Sequence, residues 1–128
     1  MKASPVKSLS HRPRGRSSDG RGGAGLEPAQ IAAVAALFAV LSEESRLLIL
    51  QALQDGPASV GELVDRLGLK QANVSKQLGI LLTAGVVSRR QEGNRAIFSI
   101  AMPLVNDLCD LVCRGVRQLA LERAEALK

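Results

Sequence analysis

Two groups of side chains in this sequence have the types and spacing to do chemistry. The first is Cys109 and Cys113 in "NDLCDLVCRG", the only cysteines of the chain. Spaced by four, they share one face of a helix, and their parallel Cβ directions disfavour a disulfide between them. Three uses stay open. They pack as small hydrophobes. They hold a soft ion such as zinc, copper(I) or arsenite as thiolates, four of them converging if this face meets a second copy. Or they cross-link chains or take an oxidative modification. The second group is Lys70, Gln71, Asn73, Ser75, Lys76 and Gln77, followed by Arg89, Arg90 and Arg95. Amide side chains offer a donor and an acceptor to a base edge, and Lys, Arg and Ser suit phosphates. No enzyme is expected. There is no glycine-rich phosphate loop and no evident nucleophile–base pair, and the sole histidine, His11, stands near the N-terminus.

The elements that must position these residues come from one domain's worth of chain, 128 residues. Phe38 and Phe98 are the only aromatics, so Leu, Val, Ile and Ala must build the core, which fits a mostly helical protein. No apolar run approaches the roughly 18 residues of a membrane span. The N-terminus lacks a signal-like apolar stretch, and two cysteines do not make a disulfide scaffold. A cytoplasmic protein without membrane contact is expected. The net charge of +5 is unevenly placed. Residues 1–25 carry six basic side chains and one acidic, while the remainder has eleven of each. Rich in Gly, Ser, Pro and Arg, residues 1–25 read as a disordered basic tail. It is either a solubilising leader or an arm on DNA phosphates. The high isoelectric point therefore says nothing about the folded body, residues 26–128, without local support.

That body reads as five helices and a hairpin. The first helix, 28–41, opens on Pro28 at a favoured first position and carries no charge from Ala29 to Leu41. A helix apolar on every face is buried on every face, so a second chain is expected to cover part of it. The second helix has Ser42 as N-cap, Glu43 and Glu44 in the first turn, and core residues Leu47, Ile49, Leu50 and Leu53. Ser59 and Glu62 have capping-box spacing at the start of a third helix, 59–67, with Leu63, Val64 and Leu67 inward. The fourth helix, 70–84, sets an apolar stripe of Val74, Leu78, Leu81 and Leu82 against the polar group from Lys70 to Gln77. The period then changes to two. Val86 to Arg90 and Arg95 to Ile100 flank "QEGN", where Gly93 and Asn94 tolerate positive φ, a hairpin signal. The last helix, 103–127, has Leu104, Leu108 and Leu111 on one face and Val105, Val112, Val116 and Leu119 near an adjoining one. One domain cannot cover so wide a face, and a homodimer follows.

The expected fold is mainly α with a small β-hairpin wing, a winged helix-turn-helix. The helix-turn-helix spans 59–84 and the wing 86–100, with the first and last helices for dimerisation. The second helix of such a unit enters the major groove with its N-terminal half, where the polar group lies. Polar faces are usually just solvated, but between Lys70 and Arg95 five basic residues face one acidic, Glu92. The local charge support is present.

At these residues the chain resembles the ArsR-type winged-helix family of bacterial repressors, over about residues 34–100. "ALFAVLSEESRLLILQAL" is similar to the family's opening, "SVGELVDRLGLKQANVSKQLGILLTAGVV" to its helix-turn-helix and "SRRQEGNRAIFSI" to its wing. The resemblance implies a homodimer joined by first and last helices, bound to an inverted repeat of double-stranded DNA and blocking transcription until a signal releases it. It also implies that Gln71, Asn73, Ser75, Lys76 and Gln77 face DNA, with Arg89, Arg90 and Arg95 at the backbone or minor groove. Departures concern the signal. Ser59, Gly61 and Val64 stand where arsenite-sensing members place cysteines. Met102, Leu104, Gly115 and Gln118 stand where zinc-sensing members place Asp, His and Glu. Sulfide- or oxidant-sensing members pair a cysteine on the second helix with one on the last, and this second helix has none. A soft metal, arsenite or an oxidant at Cys109 and Cys113 remains, otherwise no cofactor. The competing reading is a winged-helix dimerisation or protein-interaction module without sequence-specific DNA binding.

Overall fold

A computed structural model describes residues 25–127. All of the expected basic tail except Gly25 lies outside them. The described residues divide into two compact units, with the boundary between Ala39 and Val40. Most of α1 (Pro28–Leu41) belongs to the first. The Glu27 carbonyl accepts from Gln30 and Ile31 at 2.8 and 3.0 Å, and the Gln30 side chain accepts from Glu27 N–H at 2.8 Å. This satisfies donors at the helix start. Ile31, Val34 and Phe38 are all exposed in the single chain.

The second unit runs α2 (Glu44–Gln54), β1 (Ala58–Ser59), α3 (Val60–Leu67), α4 (Gln71–Thr83), β2 (Val87–Glu92), β3 (Arg95–Ile100) and α5 (Pro103–Ala126). It is a winged helix-turn-helix. The N-cap of α2 is Glu43, not Ser42. Glu43 has extended backbone, and its carboxylate accepts the Arg46 N–H at 2.9 Å. At α3 the capping box forms in both directions, Ser59 N–H to Glu62 at 2.8 Å and Glu62 N–H to the Ser59 hydroxyl at 3.2 Å. Gly68 ends α3 at φ 71°, a left-handed conformation costly for any residue with a Cβ. Its N–H returns to the Val64 carbonyl at 2.9 Å.

The wing is wider than a hairpin. The sheet order is β1-β3-β2, all antiparallel, with Ala58 opposite Phe98 and Val87 opposite Ile100. The added strand has two residues, too few to show a period. Glu92 pairs with Arg95, leaving Gly93 and Asn94 as a two-residue loop. Only Gly93 has positive φ, at 63°, as a type II′ turn requires at its first central position.

Ile49, Leu50, Leu63, Val74, Leu78, Leu81, Val86 and Val105 are sealed from solvent. Each such side chain contributes about 1.5–3 kcal/mol of burial. Leu47 and Leu82, expected inside, are 42% and 39% exposed, and Ala52 takes an inner position on α2 instead. Val64 and Leu67 are half-buried. Val105 anchors the start of α5, and the Gln54 side chain reaches the Asn106 carbonyl at 3.3 Å and Asp110 at 3.2 Å. Farther along α5, Leu111, Val112, Val116, Leu119 and Leu121 are between 51% and 60% exposed. None of the helices of the described residues is long and apolar enough to cross a membrane.

Candidate nucleic-acid interface

The N-terminal half of α4 is where local sequence and packing meet. Val74, Leu78 and Leu81, spaced for one face, are drawn into the core. The opposite face is thereby turned outward, and it carries Gln71, Ser75 and Lys76, all exposed. Lys70 sits at the N-cap with extended backbone and makes no side-chain cap bond. No acidic residue stands in the first turn of α4. The partial positive charge of its N-terminus is therefore unneutralised, a favourable setting for phosphate.

Two residues of the expected set behave differently. Gln77 is only 5% exposed. Its amide oxygen accepts from Arg46 Nη1 at 2.8 Å, and its amide nitrogen donates to Asn73 Oδ1 at 2.9 Å. Gln77 is thus a buried bridge rather than a side chain facing DNA, because Arg46 draws it inward. Asn73 is half-buried and also donates to the Ser45 hydroxyl at 3.3 Å. Arg46 and Ser45 are the residues that sequence reasoning missed. A cation one turn inside a leucine-rich helix was the available signal.

On the wing, Arg89, Arg90 and Arg95 are exposed. Arg89 donates to Gln91 at 3.3 Å, and Arg90 is paired with Glu92 on its own strand, Nε at 2.8 Å. Arg95 lies 3.8 Å from Glu62, which ties the wing to the start of α3. Glu62 is held below the ordinary carboxylate range, first by the Ser59 N–H. Burial opposes this, and the positive charge of Arg95 adds to it.

Cys109 and Cys113 are free thiols on successive turns of α5, the first half-buried and the second exposed. Burial pushes the Cys109 thiol up, with the neighbouring Cys113 and Asp110 adding to it. Among the described residues no group of three or more His, Cys, Asp or Glu is placed to hold a metal ion within one chain.

Residues 43–89, from the cap of α2 into β2, match the family described as bacterial regulatory protein, arsR family. An uncharacterized HTH-type transcriptional regulator of Mycobacterium tuberculosis, Rv0081, is 37% identical over 95 residues, covering 73% of this chain and 83% of the relative. The chain belongs to the ArsR family. The crystal structure of Rv0081 superposes with a TM-score of 0.66 at 36% identity, over 77% of this chain and 99% of that one. A biofilm growth-associated repressor of Xylella fastidiosa is 35% identical over 89 residues, 66% of this chain and 78% of the relative. The homodimeric winged helix-turn-helix DNA-binding domain Mb0332 of Mycobacterium bovis gives a TM-score of 0.66 at 31% identity, over 79% of this chain and 95% of that one. Like these ArsR-family relatives, the chain is a DNA-binding transcriptional regulator.

Proposed function

We propose that this chain is a homodimeric, sequence-specific repressor that a thiol-directed signal releases from its operator in the cytoplasm. The observation that carries the reading is the outward face of α4. Gln71, Ser75 and Lys76 stand exposed on a helix whose other face is sealed, and the wing cations stand outside the same core. In this reading Lys70, Gln71, Asn73, Ser75 and Lys76 enter the major groove. Arg89, Arg90 and Arg95 lie along the backbone or minor groove, Arg90 and Arg95 exchanging their carboxylate partners for phosphates. The apolar residues left exposed on α5, together with Ile31 and Phe38 of α1, support a second copy as the missing cover. The M. bovis relative is homodimeric, and a two-fold dimer reads an inverted repeat.

The signal acts at Cys109 and Cys113, where two chains would bring four sulfurs to one axis. The signal is a soft ion held by these thiolates or an oxidant acting on them. Both routes need the deprotonated sulfur, which the raised Cys109 thiol disfavours. The test is a salt titration of binding to the chain's own promoter DNA, followed by addition of arsenite, zinc or peroxide. Lys76→Ala and Arg95→Ala each lower the slope of log affinity against log salt by about 1. The Cys109→Ser, Cys113→Ser protein binds as the parent does and ignores the agent that releases the parent. Unchanged slopes in both cationic variants would sink the interface. Equal release of parent and serine variant would sink thiol sensing alone. No salt-dependent binding at all would favour a protein-interaction module.

A further inference from the structure

Gln77 and Asn73 form a relay whose sense is fixed from one end. The Arg46 guanidinium has five N–H donors and no acceptor. Its Nε lies 2.6 Å from the Val40 carbonyl and its Nη1 2.8 Å from the Gln77 amide oxygen. Only an oxygen can face that nitrogen, so Gln77 has its NH2 left for Asn73, and it donates to Oδ1 at 2.9 Å. The Asn73 oxygen is then committed, and its NH2 turns to the Ser45 hydroxyl at 3.3 Å. Each step removes one choice. Which way round the Asn73 amide lies is therefore decided by the donor-only character of Arg46, two side chains away. Gln77 is 5% exposed, so water has little access to scramble the order. Half-buried at the interface, Asn73 keeps one N–H and one oxygen lone pair free. A donor and an acceptor on one amide are what bidentate reading of adenine N7 and N6 requires.

We propose that Gln77 is a positioning residue for base readout: it passes the polarity of Arg46 to Asn73 and so sets which base edge α4 prefers. The proposal rests on the reading of Asn73 as a base contact. Gln77→Glu isolates the polarity. The new carboxylate still accepts from Arg46, but it has no donor for Asn73. The Asn73 amide must then turn its NH2 toward the carboxylate and its oxygen toward the Ser45 hydroxyl, which can donate. Every partner stays satisfied with the Asn73 amide reversed. The donor and acceptor left for DNA change places, and the preferred base changes with them. The added negative charge weakens binding to all sequences alike and leaves the preference untouched.

The experiment selects bound duplexes from a randomised double-stranded library with full-length protein at fixed salt and sequences the bound pool. Asn73→Ala flattens the preference at one position of each half-site. Gln77→Glu changes the preferred base at that same position by about tenfold, the scale of one bidentate contact. The double variant behaves as Asn73→Ala. If Asn73→Ala leaves every position unchanged, the base-contact reading fails and the relay with it. If Asn73→Ala flattens a position but Gln77→Glu, with parent-like circular dichroism and melting, keeps the parent's preference and only weakens binding, the relay alone is overturned. Should Gln77→Glu not fold, Gln77→Met decides. It keeps the volume but removes the donor to Asn73, leaving only the Ser45 hydroxyl, which suits either sense of the amide. The preference at that position flattens, and an unchanged preference there overturns the proposal.

Discussion

Replacing Leu111 and Val112 together by alanine tests whether α5 makes the dimer. Adjacent residues on a helix point about 100° apart, so the pair samples both apolar faces at once. In the single chain Leu111 is 60% and Val112 51% exposed. Fully burying either side chain contributes about 1.5–3 kcal/mol, so covering the exposed half contributes about 0.8–1.7 kcal/mol each. Alanine retains roughly a third of that, and a two-fold axis counts every residue twice. The loss comes to about 3 kcal/mol per dimer, or about 100-fold in the dimer dissociation constant. The chain itself is not weakened, since neither side chain is in the core and alanine favours helix. Sedimentation equilibrium over a protein dilution series, with circular dichroism as the folding control, reads both quantities. A shift of less than about threefold with unchanged ellipticity would put the interface elsewhere.

Two further outcomes follow from local geometry. Gly79→Ala, mid-way along α4 with no heavy atom within 4 Å of the added Cβ, stabilises the chain by about 0.5–1 kcal/mol, since glycine is costly inside a helix. Thermal melting should rise by a few degrees, and a lower midpoint would mean that the site is covered. Glu62 titrates below its unfolded value, so its contribution to stability is present above the unfolded carboxylate pKa and is lost as pH falls through the folded one. Glu62→Gln should therefore flatten the acid limb of the stability profile as pH falls below the unfolded carboxylate pKa. Denaturant midpoints across that range measure it, and parallel profiles would contradict the assignment.

The parts of the fold legible in sequence were those encoded locally. The bounds of α1 and α5, the capping box of Ser59 and Glu62 and the hairpin at Gly93 depend on neighbours within a few residues. Glu43 rather than Ser42 is the cap, accepting the Arg46 N–H. Both side chains offer an acceptor oxygen, so residue type alone does not choose between the two neighbours. Leu47 and Leu82 fit the apolar pattern of their helices yet stay partly exposed, because pattern states that a face is apolar and not which chain covers it. Gln77 was legible only as polar. Its burial is decided by Arg46, 31 residues away, and no periodicity within α4 carries that information. The exposure of Gln71, Ser75 and Lys76 was easier to read, since core residues at fixed spacing oppose them on α4.

The position of α2 bears on how the proposed signal at Cys109 and Cys113 would reach α4. At its C-terminal end Gln54 holds Asn106 and Asp110 of α5, and at its N-terminal end Ser45 and Arg46 hold Asn73 and Gln77 of α4. One helix thus touches the neighbourhood of both sites. Magnitudes decide how much this link can do. Moving a regulator from almost fully bound to almost fully free takes about 5.5 kcal/mol of differential affinity. A hydrogen bond contributes about 1 kcal/mol net, so losing both Gln54 bonds in both chains falls short, the more so because they share one exposed amide. Repacking the apolar faces of α5 is of the right size, since two residues there already amount to about 3 kcal/mol per dimer. A ligand that releases DNA must therefore bind one packing of the two α5 helices better than another, with the Gln54 bonds orienting α2 to follow that change rather than driving it.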